Sequence, residues 1–284
     1  MLKPVWYLPF LLLISSHICG QKVSGNLKLE EGKTYKVTII VEDTIIQQVG
    51  GKAIDFFAKG TAEHFYKPTT VSGQITTLHH QLQRFTFQFD GMNQKKSFDS
   101  DVDKEGAFGE LSKKTYDVTI DATGKTIKSE PSKIEMITLD ESSVIITGML
   151  KDAINVVYPP QKGANSFFKV LPDYEVGIGD TWKDSTITEH EKSVTENTLT
   201  AITDSTIIIE FKTTSTSTTL SEMMGRESKT KLNTTTTGKT ILDKATGIIK
   251  EKTSSSQSNG SKEVMGSTLP MNGKATTVIK VTTQ

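Results

Sequence analysis

Residues Ser143 to Val157 read SVIITGMLKDAINVV, the one stretch of the chain whose apolar residues recur at helical rather than strand spacing. Ile145, Ile146, Met149, Leu150, Ala153, Ile154 and Val157 fall at i, i+1, i+4, i+5, i+8, i+9 and i+12, which places them on one helix face. The spacing predicts one amphipathic helix over 143–157. Asp140, Ser142 or Ser143 can supply the N-cap oxygen, and Pro159-Pro160 ends the helix because proline has no amide hydrogen and restrains its predecessor. The chain reads as β-rich on either side. The expected fold is therefore mainly β: an antiparallel curved sheet or half-barrel packed on one central helix. Residues 21–284 then form a single domain, with a first half at 21–139 and a second at 165–284.

Outward from the helix, the strands announce themselves by alternation. Tyr35, Val37, Ile39 and Val41 alternate with polar residues in a half-buried strand, with Ile40 the one apolar residue on the wrong face. Gly50-Gly51 reads as a turn into AIDFFAKGTAEHFYK, a second strand in which Gly60 suggests a bulge. Phe85, Phe87 and Phe89 alternate most cleanly of all and should face the core. TYDVTIDATGKTIK and TILDKATGIIKEK repeat one hairpin device, their glycines Gly124 and Gly247 lying 247 − 124 = 123 residues apart. This suggests two related halves. Threonine-rich runs such as TIIIEFKTTSTSTT suit pleated sheet with a polar, solvated face, whereas SSSQSNGSKEVMGS reads as loop.

The chain has 284 residues, with 33 Lys plus Arg against 33 Asp plus Glu. No long run of one sign occurs, so the basic footprint of a nucleic-acid binder is missing. The N-terminus, MLKPVWYLPFLLLISSHICGQ, has one positive residue, a short apolar run and then small and polar residues, the pattern of a secretory signal over 1–20. Ile18 and Gly20 suit the −3 and −1 sites of a cut before Gln21. In the rival reading Cys19 carries a lipid anchor, but the bulky Ile18 and the Ser16 before it argue against that. Cys19 is the only cysteine, so cleavage leaves no disulfide, thiolate metal site or cysteine nucleophile. Lys3 is the only charged residue removed, which takes the net charge from 0 to −1. No later segment is apolar for long enough to cross a membrane as a helix.

The order of F-D-S-D, a Y-D-V-T-I-D-x-T-G-K hairpin, a central helix, L-P-D-Y-E-V-G-I-G-D-T-W and a D-K-A-T-G-I-I-K hairpin resembles a family of uncharacterised secreted proteins and lipoproteins of Bacteroidota-type bacteria. The likeness covers nearly the whole mature chain. It implies export and a β-rich fold, and carries no activity or catalytic residues with it. In architecture alone the chain is also similar to periplasmic lipoprotein carriers of the half-barrel type, which hold acyl chains between a sheet and a helix.

Chemistry-bearing patterns are sparse. Asp99, Asp101, Asp103 and Glu110 stand at positions 1, 3, 5 and 12 of a calcium loop, but Lys104 replaces the glycine of position 6. Adjacent His79 and His80 should point to opposite faces of a strand and cannot share a metal. His64 and His190 have no ligand partner at a recognised spacing. Ser228 and Lys231 match S-x-x-K without its companion motifs, Gly177-Ile178-Gly179 lacks a third glycine, and Asp180 with Asp184 has nothing to mark a sugar cleft. Trp182 reads as core. No cofactor, metal or enzymatic activity is expected. The expected role is an exported, non-catalytic binder or carrier of an apolar ligand such as a lipid, held by Ile146, Met149, Leu150 and Ile154. The alternatives are an envelope interaction or structural module with a filled core, and a hydrolase whose site has no recognised motif.

Overall fold

The computed structural model describes residues 21–135, 141–223, 226–264 and 266–284. The expected signal over 1–20 and the N-cap candidate Asp140 lie outside these residues. Strands β1 (Lys22–Val23), β2 (Tyr35–Val49), β3 (Lys52–Ser72), β4 (Ile75–Gly91) and β5 (Gln94–Asp99) lead to helix α1 (Gly106–Leu111), then β6 (Thr115–Asp121) and β7 (Thr126–Glu130). Helices α2 (Glu141–Met149) and α3 (Lys151–Ile154) and a 3-10 turn (Asn155–Val157) follow. The chain continues through β8 (Val176–Gly177), β9 (Thr181–Ile187), β10 (Glu191–Ile202), β11 (Thr206–Met223), β12 (Arg226–Asp243), β13 (Ile249–Val264) and β14 (Ser267–Thr283).

Twelve of these strands make one antiparallel sheet that does not close into a barrel, in the order β7-β6-β4-β3-β2-β14-β13-β12-β11-β10-β9, with β5 alongside β4. The two halves of the chain meet where β2 pairs with β14, so they share a single continuous sheet. Alternation sets which side chains face the core, as period 2 requires. Tyr35, Val37, Ile39 and Val41 of β2 lie opposite Tyr66, His64, Ala62 and Gly60 of β3, and Phe85, Phe87 and Phe89 of β4 continue the same face. All three phenylalanines are buried, with Phe98 of β5 stacked on Phe87 and Phe108 of α1 meeting Phe87 edge-on. The helical segment lies on this face, α3 resting on β2 and β3.

Four local expectations change in the folded chain. The single helix is instead interrupted at Leu150, whose φ of −100° and ψ of 20° break the α geometry. Its start at Glu141 puts Ser142 and Ser143 inside the helix rather than at its cap. Gly60 makes no bulge, since the β2–β3 register runs through it without a shift. It is a glycine because a Cβ there would stand 2.9 Å from Leu150 Cδ1, so the missing side chain is the recess that Leu150 occupies. The serine-rich stretch read as loop forms most of β13, paired on both sides along its length. Serine is tolerated there because its hydroxyl finds cross-strand partners: Ser256 with Thr236 at 2.8 Å and Ser258 with Thr234 at 3.0 Å.

The duplicated hairpin device is real as local geometry. Asp121 Oδ1 accepts from Thr123 N, Thr123 Oγ1 and Lys125 N, and Asp243 Oδ1 accepts from Ala245 N, Thr246 N and Thr246 Oγ1. Both turns also grip the N-terminal segment: Leu27 N donates to Ala122 O and Lys28 N to Thr246 O. A second, smaller core lies beyond the first, where Leu171, Val176, Trp182, Leu199, Ile207, Ile209, Leu242 and Ile249 pack together. The G-D-T-W element feeds it, because Asp180 Oδ2 accepts from Gly177 N at 2.7 Å and the tight turn drops Trp182 inward, 5% exposed.

Candidate functional site

The helix-bearing face of the sheet carries the features that can act. Its first part is filled. Ile146 and Leu150 are 0% exposed, Ile154 2% and Met149 3%, all within one core cluster with Val37, Ile39, Ala62 and Leu82. Two depressions at the surface lie elsewhere: one of about 380 Å³ between Ile127 and Lys128 of β7 and Pro160 to Lys162, and one of about 170 Å³ around Thr61, Glu63, Arg84 and Thr86. Neither is lined by the four residues expected to hold an apolar ligand.

Under α3 the apolar contact gives way to a buried polar seam. His64 of β3 and His80 of β4 lie on adjacent strands, and both are fully buried. His64 Nε2 lies 3.1 Å from Ala153 O of α3, and His64 Nδ1 lies 3.1 Å from His80 Nε2. A carbonyl only accepts, so His64 donates from Nε2 and its Nδ1 must be the acceptor. His80 therefore donates from Nε2, which leaves its Nδ1 a bare acceptor, and that atom has no partner among the described residues. Tyr116 Oη donates to Val156 O at 3.1 Å, and Tyr66 Oη lies 3.4 Å from Tyr116 Oη. Two carbonyls at the C-terminal end of the helical segment, where helices leave such groups unpaired, are thus capped by side chains of the sheet. Burial is the main cause of the ring shifts: His64 is pushed down to about 4, His80 lower still, and the Tyr66 and Tyr116 hydroxyls upward.

Beside this seam stands a charged group. Thr277 Oγ1 of β14 donates to Asp152 Oδ2 of α3 at 2.8 Å, and Asp43 of β2 faces the same place. Burial, and then the Asp152 charge, pushes the Asp43 carboxyl up to about 7. Lys252 of β13 lies 4.7 Å above the Phe211 ring, its ammonium pushed down by burial. A carboxyl whose folded value is raised contributes stability that is complete below its unfolded value near 4 and is lost as the pH rises through 7. Asp43→Asn should therefore be more stable than the native chain at pH 8 by about 1–3 kcal/mol, with the gap closing towards pH 4. Urea denaturation at the two pH values measures it, and a gap that does not depend on pH would show that the Asp43 shift is wrong.

Beyond Asp43 the same face turns to small hydroxyls. One row across the sheet runs Thr195, Thr213, Thr236, Ser256, Ala275, Asp43, and the next runs Ser215, Thr234, Ser258, Gly273. These side chains are half-buried and pair among themselves, Thr195 with Thr213 at 2.8 Å, for instance. Hydrophobic ligands find no apolar bed on this part of the sheet.

The other sequence candidates take structural duties. Arg84 reaches Asp99 Oδ2 at 2.6 Å and Asp101 Oδ2 at 3.2 Å, and Glu110 turns to Lys113, so the acidic loop is neutralised by side chains. Among the described residues no three His, Cys, Asp or Glu converge as a metal site. His79 pairs with Asp117 on the opposite face from His80, as alternation requires. Ser228 faces the core side, which puts Lys231 on the other face, and Asp184 Oδ2 accepts from Asn197. The His64–His80 pairing was missed at the level of sequence. Alternation set His79 and His80 on opposite faces, but only the β3–β4 register, with its shift at Glu63/His64, brings His80 to His64.

The model of a family of unknown function, DUF6263, matches residues 161–249, a span that contains every buried residue of the second core. No curated protein matches. Among solved structures, a lipovitellin structure titled for its lipid–protein interactions aligns over 90% of this chain at 8% identity and a TM-score of 0.46. This chain spans only 26% of that one. An outer-membrane channel from Pseudomonas putida F1 aligns over 90% of this chain and 98% of its own, at 8% identity and a TM-score of 0.26. The β domain of the Bordetella autotransporter BrkA aligns over 86% and 98%, at 8% identity and a TM-score of 0.27. Among the described residues no helix is long and apolar enough to cross a membrane.

Proposed function

We propose that the chain is an exported, non-catalytic interaction module of the cell envelope whose working surface is the open, hydroxyl-lined part of the sheet. The observation that carries this is the fit of Leu150 into the recess at Gly60, where a side chain of the helical segment itself occupies the place an acyl chain would take. Buried polar groups of the face serve packing: His64 and Tyr116 cap the helical segment, and His80 and Tyr66 pair with them. Export is supported by the leader-like N-terminus. A carrier of an apolar ligand is the second reading. It is favoured by the apolar floor of Val37, Ile39, Ala62 and Leu82, and it requires the helical segment to leave that floor.

Mass spectrometry of protein purified from its own envelope tests both parts. The intact mass should correspond to a chain starting at Gln21. Native spectra should show no bound lipid at neutral pH. A mass for residue 19 bearing acyl chains would replace secretion by anchoring, and stoichiometric lipid would replace the interaction module by the carrier.

A further inference from the structure

We infer that the His64–His80 pair makes the helical segment an acid-released cover: protonation of the pair lifts residues 150–157 off the sheet and bares the apolar floor beneath. The geometry selects what must move. Both rings are fully buried, on β3 and β4, and each of these strands is paired on both sides within the sheet. Neither strand can yield without breaking the ladder. Opposite the strands lies the cover, a four-residue helix and one 3-10 turn, short pieces with little helical stability of their own. It is held by Ala153 O on His64 and Val156 O on Tyr116, by Thr277 on Asp152, and by Leu150 at Gly60.

A proton added to the pair has no good place. His64 Nδ1 is the acceptor for His80, so protonating it sets two N–H groups against each other unless His80 changes tautomer. The alternative, His80 Nδ1, lies in a pocket of rings, 4.3 Å from Tyr116 and 4.8 Å from Tyr66 between centroids, with no acceptor to receive its hydrogen. Either charge is stranded without solvent, whereas lifting the cover admits water to both rings.

The groups around the pair set the strength and the sign. Histidines depressed in the closed state favour opening as the pH falls below 6.5, by up to about tenfold per unit each. Asp43 opposes them, because its raised carboxyl is protonated in the closed state first and so favours closure by about tenfold per unit between 7 and 4. Asp152 and Lys151 leave with the cover, and Lys252 remains on β13. His79, on the far face with Asp117, keeps contact with solvent in either state. The net is about a hundredfold rise in the open population between pH 6.5 and pH 4.5, and about ten-thousandfold when Asp43→Asn removes the opposing group.

Hydrogen exchange of the full mature chain, corrected for intrinsic rates, reads this at peptides covering 150–158 against peptides of β12 and β13. The native chain should open at 150–158 on acidification while the β ladders stay protected, and D43N should open more steeply. His64→Gln with His80→Phe keeps a donor for Ala153 O and a ring in the stack but cannot titrate, so its cover should stay closed at pH 4.5. Equal acid opening in that variant, or no opening in the native chain, overturns the proposal. If the double variant fails to fold, nitrogen-15 shifts of the histidine rings in the native chain decide instead. Ionisation of His64 and His80 must coincide with opening, and rings that stay neutral while the segment opens, or ionise while it stays closed, overturn it.

Discussion

Leu150→Ala is expected to lower stability by about 2–5 kcal/mol, the range for truncating a fully buried leucine, because transfer energy is lost and a cavity remains. Several features put the value towards the upper part of that range. The side chain is 0% exposed, it fills the recess at Gly60, and the neighbouring strands are held by their ladders and cannot collapse into the gap. Lys151→Ala, at an exposed position one residue further on, should change stability by no more than about 0.5 kcal/mol. Thermal or urea unfolding of the pair measures the contrast. Equal and negligible effects would mean that the helical segment is not docked. Gly60→Ala should reproduce part of the loss, since its Cβ would meet the far end of the Leu150 side chain, which can give way only by leaving its seat.

Trp182→Ala should cost about 3–5 kcal/mol, the usual range for removing a large buried aromatic. It sits in the smaller core with Leu199, Ile207, Ile209 and Leu242, so there are few other contacts to share the loss. Its indole Nε1 has no hydrogen-bond partner among the described residues. Trp182→Phe should therefore cost less than about 1.5 kcal/mol, because the smaller ring gives up volume but also removes an unsatisfied donor. Were Trp182 instead a stacking surface for a ligand, Trp182→Ala would leave the unfolding midpoint nearly unchanged, and near-neutral stability of that variant would refute the core assignment.

Much of the fold was legible in residue order because the signals are local and strictly periodic. Alternation in β2 and β4 assigned the inward face of each strand, and Phe85, Phe87 and Phe89 are buried as that pattern required. The D-x-T-G devices declared their turns because an aspartate that accepts backbone amides is a property of four or five consecutive residues. The helical spacing of 143–157 likewise placed Ile146, Met149, Leu150 and Ile154 on one face.

What tertiary structure alone decided depends on register between distant segments. The seat that Leu150 occupies, at the break in the helix, is left by a glycine ninety residues earlier in the chain (150 − 60 = 90). The serine-rich stretch became strand β13 because β12 and β14 present hydroxyls and backbone at matching positions, which no local propensity records. The pairing of His64 with His80 needs the β3–β4 register and its shift at Glu63/His64. Sequence by itself determined which face each residue takes, since side-chain direction follows from neighbours one and two positions away. The tertiary structure decided which residues meet on that face, and with it whether the apolar bed is a cavity or a filled core, because contact across a sheet is fixed by long-range pairing and packing.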